Sequence, residues 1–220
     1  MKPHVLVVYP HPDDETFGPG GTIILHAQAG TPVTYLCGTL GQMGRNMGNP
    51  IMANRETLPK LRKLELQQAA KILGISDLRM MGYHDKTVEF EDREVLVKRI
   101  LDVIEEIQPT VVYTYYPGHA VHPDHEAMAE ATVEALSRIP AEQRPVLYCQ
   151  AISNNRLEAL GEPDVSVDIT SVAEIKLQAI KAHYTQTAQT AARLEKAYAN
   201  KDPEIIPWLT VERFYTYRWE

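Results

Sequence analysis

Two short strings, His11-Pro12-Asp13-Asp14-Glu15 and His122-Pro123-Asp124-His125, hold the residues of this chain best suited to chemistry. Together they offer imidazole nitrogens and carboxylate oxygens, a donor set that suits Zn²⁺. Three protein ligands leave a fourth position for water, as catalytic rather than structural sites do. In this reading His11, Asp14 and His125 hold the metal, which lowers the pKa of a water and polarises a scissile carbonyl. Asp13 is then free to act as general base, while His122 stabilises developing charge and protonates a departing amine. Asp124 is placed to orient the His122 imidazole and hold it charged. Either string alone also fits a turn in which an Asp caps the next helix. Both at converging strand ends point to a site.

The elements that must bring the strings together are legible. Apolar runs at His4–Tyr9, Pro32–Gly38, Leu78–Gly82, Thr110–Tyr116 and Val146–Ala151 alternate with helical stretches at Gly21–Ala29, Glu56–Leu73, Arg93–Ile107 and His125–Ser137. The runs are apolar almost throughout, as expected for parallel strands covered on both faces. In the second helix Leu61, Leu64, Leu66, Ala69, Ile72 and Leu73 approximate a core-facing stripe, with Gly74 as its stop. This rhythm predicts an α/β fold with a Rossmann-like, doubly wound, mostly parallel sheet in the order 3-2-1-4-5. A strand at Val165–Ile169, helices at Ser171–His183 and around Ala188–Tyr198, and a strand or extended segment at Val211–Trp219 form a C-terminal αβ extension. The first string follows strand one and the second follows strand four. In that order the two strands are neighbours at the switch point, outside whose carboxyl ends ligands bind.

Composition bounds the rest. With 220 residues, 44% of them hydrophobic and 23% charged, the chain fits one domain, 1–220. Its net charge of −7 excludes a general nucleic-acid binder. The run Val5–Tyr9 is too short for a signal core, and no stretch approaches the ~20 apolar residues of a membrane span. The two cysteines, Cys37 and Cys149, read as reduced core thiols. A cytoplasmic protein is expected, with homo-oligomers compatible with the sequence.

A Rossmann-like sheet invites a dinucleotide, but acidic residues stand where its pyrophosphate would lie. The two strings instead resemble those of the LmbE/PIG-L family of zinc-dependent N-acetylglucosaminyl deacetylases. The likeness extends to Arg62-Lys63-Leu64-Glu65-Leu66, to Leu73-Gly74-Ile75, to Asp168-Ile169-Thr170, and to Lys176, Ala179 and His183–Gln186. It implies zinc on His11, Asp14 and His125, Asp13 as base, His122 as acid, and Arg62 as a substrate or oxyanion contact. The glycine-rich stretch from Gly38 to Gly48 is most similar to the bacillithiol branch, which implies N-acetylglucosaminyl malate, or thiol conjugates, as the sugar-conjugate substrate. Ala120 stands where some relatives, the mycothiol branch among them, carry a tyrosine.

Among the remaining residues, Arg45 in the glycine-rich stretch can meet an anionic substrate or simply be solvated, as can Arg55. His119 reads as a loop residue, Glu15 as an early-helix or supporting carboxylate, and His183 as a supporting residue at a helix end. The aromatic close, Phe214 to Trp219, reads as packing ahead of a carbohydrate platform. Fe²⁺ and other divalent metals accept the same donors. A zinc amidase on a non-sugar N-acyl or mercapturate-like substrate, and a non-catalytic metal-dependent binding protein, are the other two readings.

Overall fold

The computed structural model describes residues 2–219. Five parallel strands, β1 (Val5–Tyr9), β2 (Val33–Thr39), β3 (Asp77–Tyr83), β4 (Val111–Tyr115) and β5 (Val146–Gln150), lie in the order β3-β2-β1-β4-β5. The expected order holds. Beyond β5 the sheet continues with β7 (Val211–Thr216) and then β6 (Val165–Asp168), both pairs antiparallel. The C-terminal extension therefore widens the same sheet.

Every residue of β1 and β2 is buried, because helices cover both faces. One face carries α2 (Gly20–Gln28), α3 (Leu58–Leu73) and α7 (Ala173–Ala182), over Val5, Val7, Tyr9, Tyr35 and Tyr113. The other carries α4 (Arg93–Ile107) and α5 (Pro123–Ser137), over Leu6, Val8, Val112 and Leu147. The helix α8 (Tyr184–Ala199) packs outside α7, and three short helices, α1 (Asp14–Phe17), α6 (Arg156–Leu160) and α9 (Ile206–Thr210), have no counterpart in the sequence reading.

Two differences bear on the site. In α3 the buried stripe is Leu58, Arg62, Leu66, Ala69, Ala70 and Leu73, while Leu64 is 61% exposed. The expected stripe was rotated, and an arginine lies on the buried face. Moreover, α5 starts at Pro123, two residues before the expected His125, with His122 as N-cap. Proline suits that first position, since its missing N–H would have no partner there. Asp124 and His125 thus lie in the first turn, directly beyond the β4 loop.

Glu212 of β7 ties the extension to the first half of the chain. Its carboxylate accepts from Gly21 N–H at 2.7 Å, Thr22 N–H at 2.8 Å and the Thr22 hydroxyl at 2.6 Å, capping α2. The same group meets Lys176 Nζ of α7 at 2.6 Å, with both side chains 3% exposed. Removing one partner of such a pair strands a buried charge. Glu212→Ala is expected to cost about 3–5 kcal/mol in urea unfolding while the transition stays single and cooperative.

Candidate metal centre

Strand β1 ends at Tyr9, and the chain turns through Pro10 to place His11 beside the loop after β4. His11 Nδ1 lies 3.1 Å from His125 Nε2, and the Asp14 carboxylate lies 3.5 Å from each of these nitrogens. The far sides of both imidazoles are occupied. His11 Nε2 meets Asp124 Oδ2 at 3.0 Å, and His125 Nδ1 meets the Ala120 carbonyl at 3.0 Å. Acceptors at those positions place each ring's proton there, leaving lone pairs on His11 Nδ1 and His125 Nε2. Two lone pairs and a carboxylate then converge, an arrangement that calls for a cation. Their spacing also fits, since tetrahedral bonds of about 2.0–2.1 Å put ligand atoms roughly 3.3 Å apart. The nitrogens of His11, His122 and His125 form a second possible donor triple, and His11 with Asp85 and Asp124 a third.

The electrostatics agree. Burial opposes charge on His11, but Asp124, Asp14 and Asp85 outweigh it and push its pKa well above the usual imidazole value. The same pocket holds Asp14 below the ordinary carboxylate range, against burial, through His125 and His11. The surroundings select positive charge between these groups.

Several supporting residues were not anticipated. The Tyr115 hydroxyl, at the end of β4, donates to Asp14 Oδ1 at 2.8 Å, and its ring stacks on His125 at 4.3 Å. Burial, then Asp14, pushes the Tyr115 pKa well up, so it remains a donor. Asp85, two residues past β3, lies 3.3 Å from His11 Nε2 and accepts from Met43 N–H at 2.8 Å, tying the glycine-rich loop to the site. Its signal was a carboxylate at a third strand end on the same edge of the sheet. Glu126 gathers the N–H groups of Gly118, Ala120 and Val121 at 2.6, 2.8 and 3.3 Å. Ala120 offers its carbonyl to His125, and the tyrosines that reach the first string come from β4 and from β2, where Tyr35 donates to the His11 carbonyl at 2.9 Å.

Asp13 lies beside the donors with a left-handed backbone, φ 103°. Arg62 Nη2 donates to its carboxylate at 3.0 Å and also to the Pro12 carbonyl, while Nη1 donates to Gly41 O at 2.8 Å. Burial raises the Asp13 pKa, Arg62 opposes the rise and Asp14 adds to it, leaving it at about 6. A carboxylate near 6 is a competent base at neutral pH. Arg62 is 3% exposed, with both Nη atoms on these oxygens and Nε without a partner, a placement behind Asp13 that departs from the expected substrate or oxyanion contact. A Cβ at Gly41 would stand 1.8 Å from Arg62 Nη1, so a side chain there would have to push the guanidinium aside, and its φ of 60° also favours glycine.

Asp124 requires a second correction. Its carboxylate serves His11 and accepts from Lys86 N–H at 2.7 Å and Val88 N–H at 3.1 Å, rather than holding His122. His122 is oriented instead by the Asp124 main-chain N–H, which donates to its Nδ1 at 3.2 Å. Burial, then His11 and His125, lowers the His122 pKa. Both effects disfavour the imidazolium, and the bond at Nδ1 leaves Nε2 as the nitrogen that carries the proton in the neutral ring.

Arg45 is exposed on the glycine-rich loop, and Arg55 fastens that loop through the Gln42 and Gly44 carbonyls. His119 bonds Ser153 Oγ at 2.8 Å and stays a loop residue. Cys37 and Cys149 are buried and free, with burial raising both thiols.

Comparison with known proteins gives a consistent picture. Residues 6–136 match the PIG-L family, described as GlcNAc-PI de-N-acetylase. A Bacillus cereus protein named probable N-acetyl-alpha-D-glucosaminyl L-malate deacetylase 2 is 53% identical, with 100% of both chains covered. A Bacillus subtilis protein of the same name is 52% identical over 100% of this chain and 99% of its own. Among solved structures, N,N'-diacetylchitobiose deacetylase from Pyrococcus horikoshii superposes with a TM-score of 0.76 at 25% identity, covering 97% of this chain and 83% of its own. These likenesses, and a family match over more than half of its length, place this chain in the PIG-L family of metal-dependent N-deacetylases.

Proposed function

We propose that this chain, working as one domain in the cytoplasm, hydrolyses the acetamide of N-acetylglucosaminyl malate to acetate and the free amine, with Zn²⁺ as its metal. The observation that carries the reading is the convergence of His11 Nδ1, His125 Nε2 and the Asp14 carboxylate beside a carboxylate poised near pH 6. The names of the Bacillus relatives support the substrate, and the likeness of the Gly38–Gly48 stretch to the bacillithiol branch agrees with it. Two free buried thiols fit a reducing compartment, and no helix among the described residues is long and apolar enough to cross a membrane.

His11, Asp14 and His125 would hold the metal, whose chemistry when bound is to acidify water and polarise the acetamide carbonyl. Asp13 takes the water's proton. Having done so it is a carboxylic acid beside the leaving nitrogen, suited to return that proton to the amine. Arg62 holds Asp13 in place and favours its charged form. His122, neutral with a proton on Nε2, donates to the oxygen on which negative charge develops. Asp124 fixes the tautomer and direction of His11. Arg45 offers a cation for the malate carboxylates on a chain of net charge −7.

The deciding experiment measures acetate release from N-acetylglucosaminyl malate and from plain N-acetylglucosamine, with zinc-loaded and chelated protein. Zinc-dependent turnover that favours the malate conjugate is expected, and silence on both substrates with zinc bound would overturn the reading. The kcat profile should fall as pH drops through about 6, where Asp13 takes up a proton and ceases to be a base. Asp13→Asn should lose roughly 10²–10⁴-fold in kcat and keep its metal. Competition with a chelator should show Asp124→Ala binding Zn²⁺ about 10–100-fold more weakly. Arg45→Ala should raise KM for the malate conjugate about tenfold, the order of one charge-assisted hydrogen bond, and leave KM for N-acetylglucosamine unchanged.

A further inference from the structure

Two buried groups beside the site have no part in the chemistry above. Glu15, the last residue of the first string, and His183, at the joint between α7 and α8, meet at 2.6 Å with both side chains 0% exposed. The other Glu15 oxygen, Oε2, accepts from the main-chain N–H of Asp13 at 3.0 Å. The path from His183 to Asp13 is thus two hydrogen bonds long, and it ends on the amide of a residue whose backbone is left-handed.

A glutamate near a helix start often reaches back to a main-chain N–H, and for a capping role that is sufficient. It does not need a histidine. His183 Nδ1 is buried and has no hydrogen-bond partner, so the core leaves a polar atom unsatisfied to keep this imidazole where it is. Hydrophobic residues of the same shape would avoid that cost. The imidazole supplies what they cannot, a donor that fixes the direction of the Glu15 carboxylate.

The joint that carries His183 also grips the surroundings of the site. Thr185 donates its N–H and its hydroxyl to Glu65 at 2.7 Å each, on the same helix as Arg62. Gly48 N–H donates to the Thr185 carbonyl at 2.9 Å, and the Gln186 amide donates to Asn46 O at 2.8 Å. A Cβ on Gly44 would stand 2.5 Å from the Gln186 side-chain oxygen, so loop and joint are packed without slack. The frame bearing His183 is therefore fixed relative to the Arg62 helix that holds Asp13 from the other side.

We propose that His183 is a positioning residue for Asp13, acting through Glu15 to hold the Asp13 main chain in its left-handed conformation. The inference rests on the reading of Asp13 as the general base. If it holds, losing the donor at the His183 Nε2 position misdirects the base without disturbing the metal donors or the substrate contacts.

Two polar substitutions separate the ring's nitrogens. Glutamine reproduces the donor at Nε2, while asparagine reproduces only Nδ1 and does not reach Glu15. His183→Gln should keep kcat within about threefold of the parent, and His183→Asn should lose about 10–100-fold, with KM and zinc affinity by chelator competition unchanged in both. Equal kcat for the two variants would overturn the proposal. So would a His183→Asn variant that loses zinc in step with kcat, because the residue would then be holding the fold. Asp13→Asn run alongside separates the two ideas. If it stays active, the base assignment falls and this proposal with it. If it is inactive while the two His183 variants match, only the positioning role falls.

Discussion

Three electron-rich groups face one another across 3.1–3.5 Å at the carboxyl edge of the sheet, and the rest of the structure is arranged to keep them there. Each needs a partner behind it to keep its nitrogen or oxygen turned toward the other two. Asp124 holds His11, the Ala120 carbonyl holds His125, and the Tyr115 hydroxyl and the His11 N–H, at 2.9 Å, hold Asp14. These partners come from two neighbouring strand ends: His11 follows β1, and Tyr115, Ala120 and Asp124 lie on β4 and its connection into α5. A parallel sheet with β4 beside β1 delivers them to one point, so the site depends on that adjacency.

The same crowding assigns the proton traffic. Half-buried beside two other imidazoles, His122 gains little from becoming an imidazolium, and its Nδ1 is already accepting a main-chain N–H. Asp13 is the group whose environment sits near balance, with burial and Asp14 pushing its pKa up and Arg62 pulling it down. A carboxyl near 6 can take a proton from water and give it to an amine within one cycle. In the proposed reaction, two separate residues for acid and base are therefore not needed.

Much of this was legible in the sequence. The strings at 11–15 and 122–125 hold side chains that the structure gathers at one point, and the apolar runs announced the strand order that makes them neighbours. The misreadings have physical causes. Arg62 stands four residues from both Leu58 and Leu66, so its place on the buried face was written in the spacing, yet a charged residue was not counted as core. Asp124 was paired with His122 because they are close in sequence. At a helix start, however, the side chain of the second residue leaves the cap and can reach another strand end, here His11. Asp85 and Tyr115 carry no motif. Their roles exist only because parallel strands stop at one edge, a fact of three dimensions that local patterning does not state.

One backbone residue inside the first string and one directly before the second adopt a conformation rare for side-chain-bearing residues, Asp13 at φ 103° and Val121 at φ 68°. For a β-branched residue such as Val121 this is a strained state, and of order 1–3 kcal/mol must be offset elsewhere. In both cases a glutamate carboxylate grips the strained residue's own N–H, Glu15 at Asp13 and Glu126 at Val121. The strain has a geometric purpose at each place. Reversing the chain at Asp13 lets the successive carboxylates of Asp13 and Asp14 face the same space. Reversing it at Val121 sends the Ala120 carbonyl toward His125 while His122 begins the next helix. An ordinary turn at either position would send one of the paired side chains away from the centre. The two glutamates are thus as much a part of the centre as the residues that face it, although neither offers an atom to the metal or to the substrate.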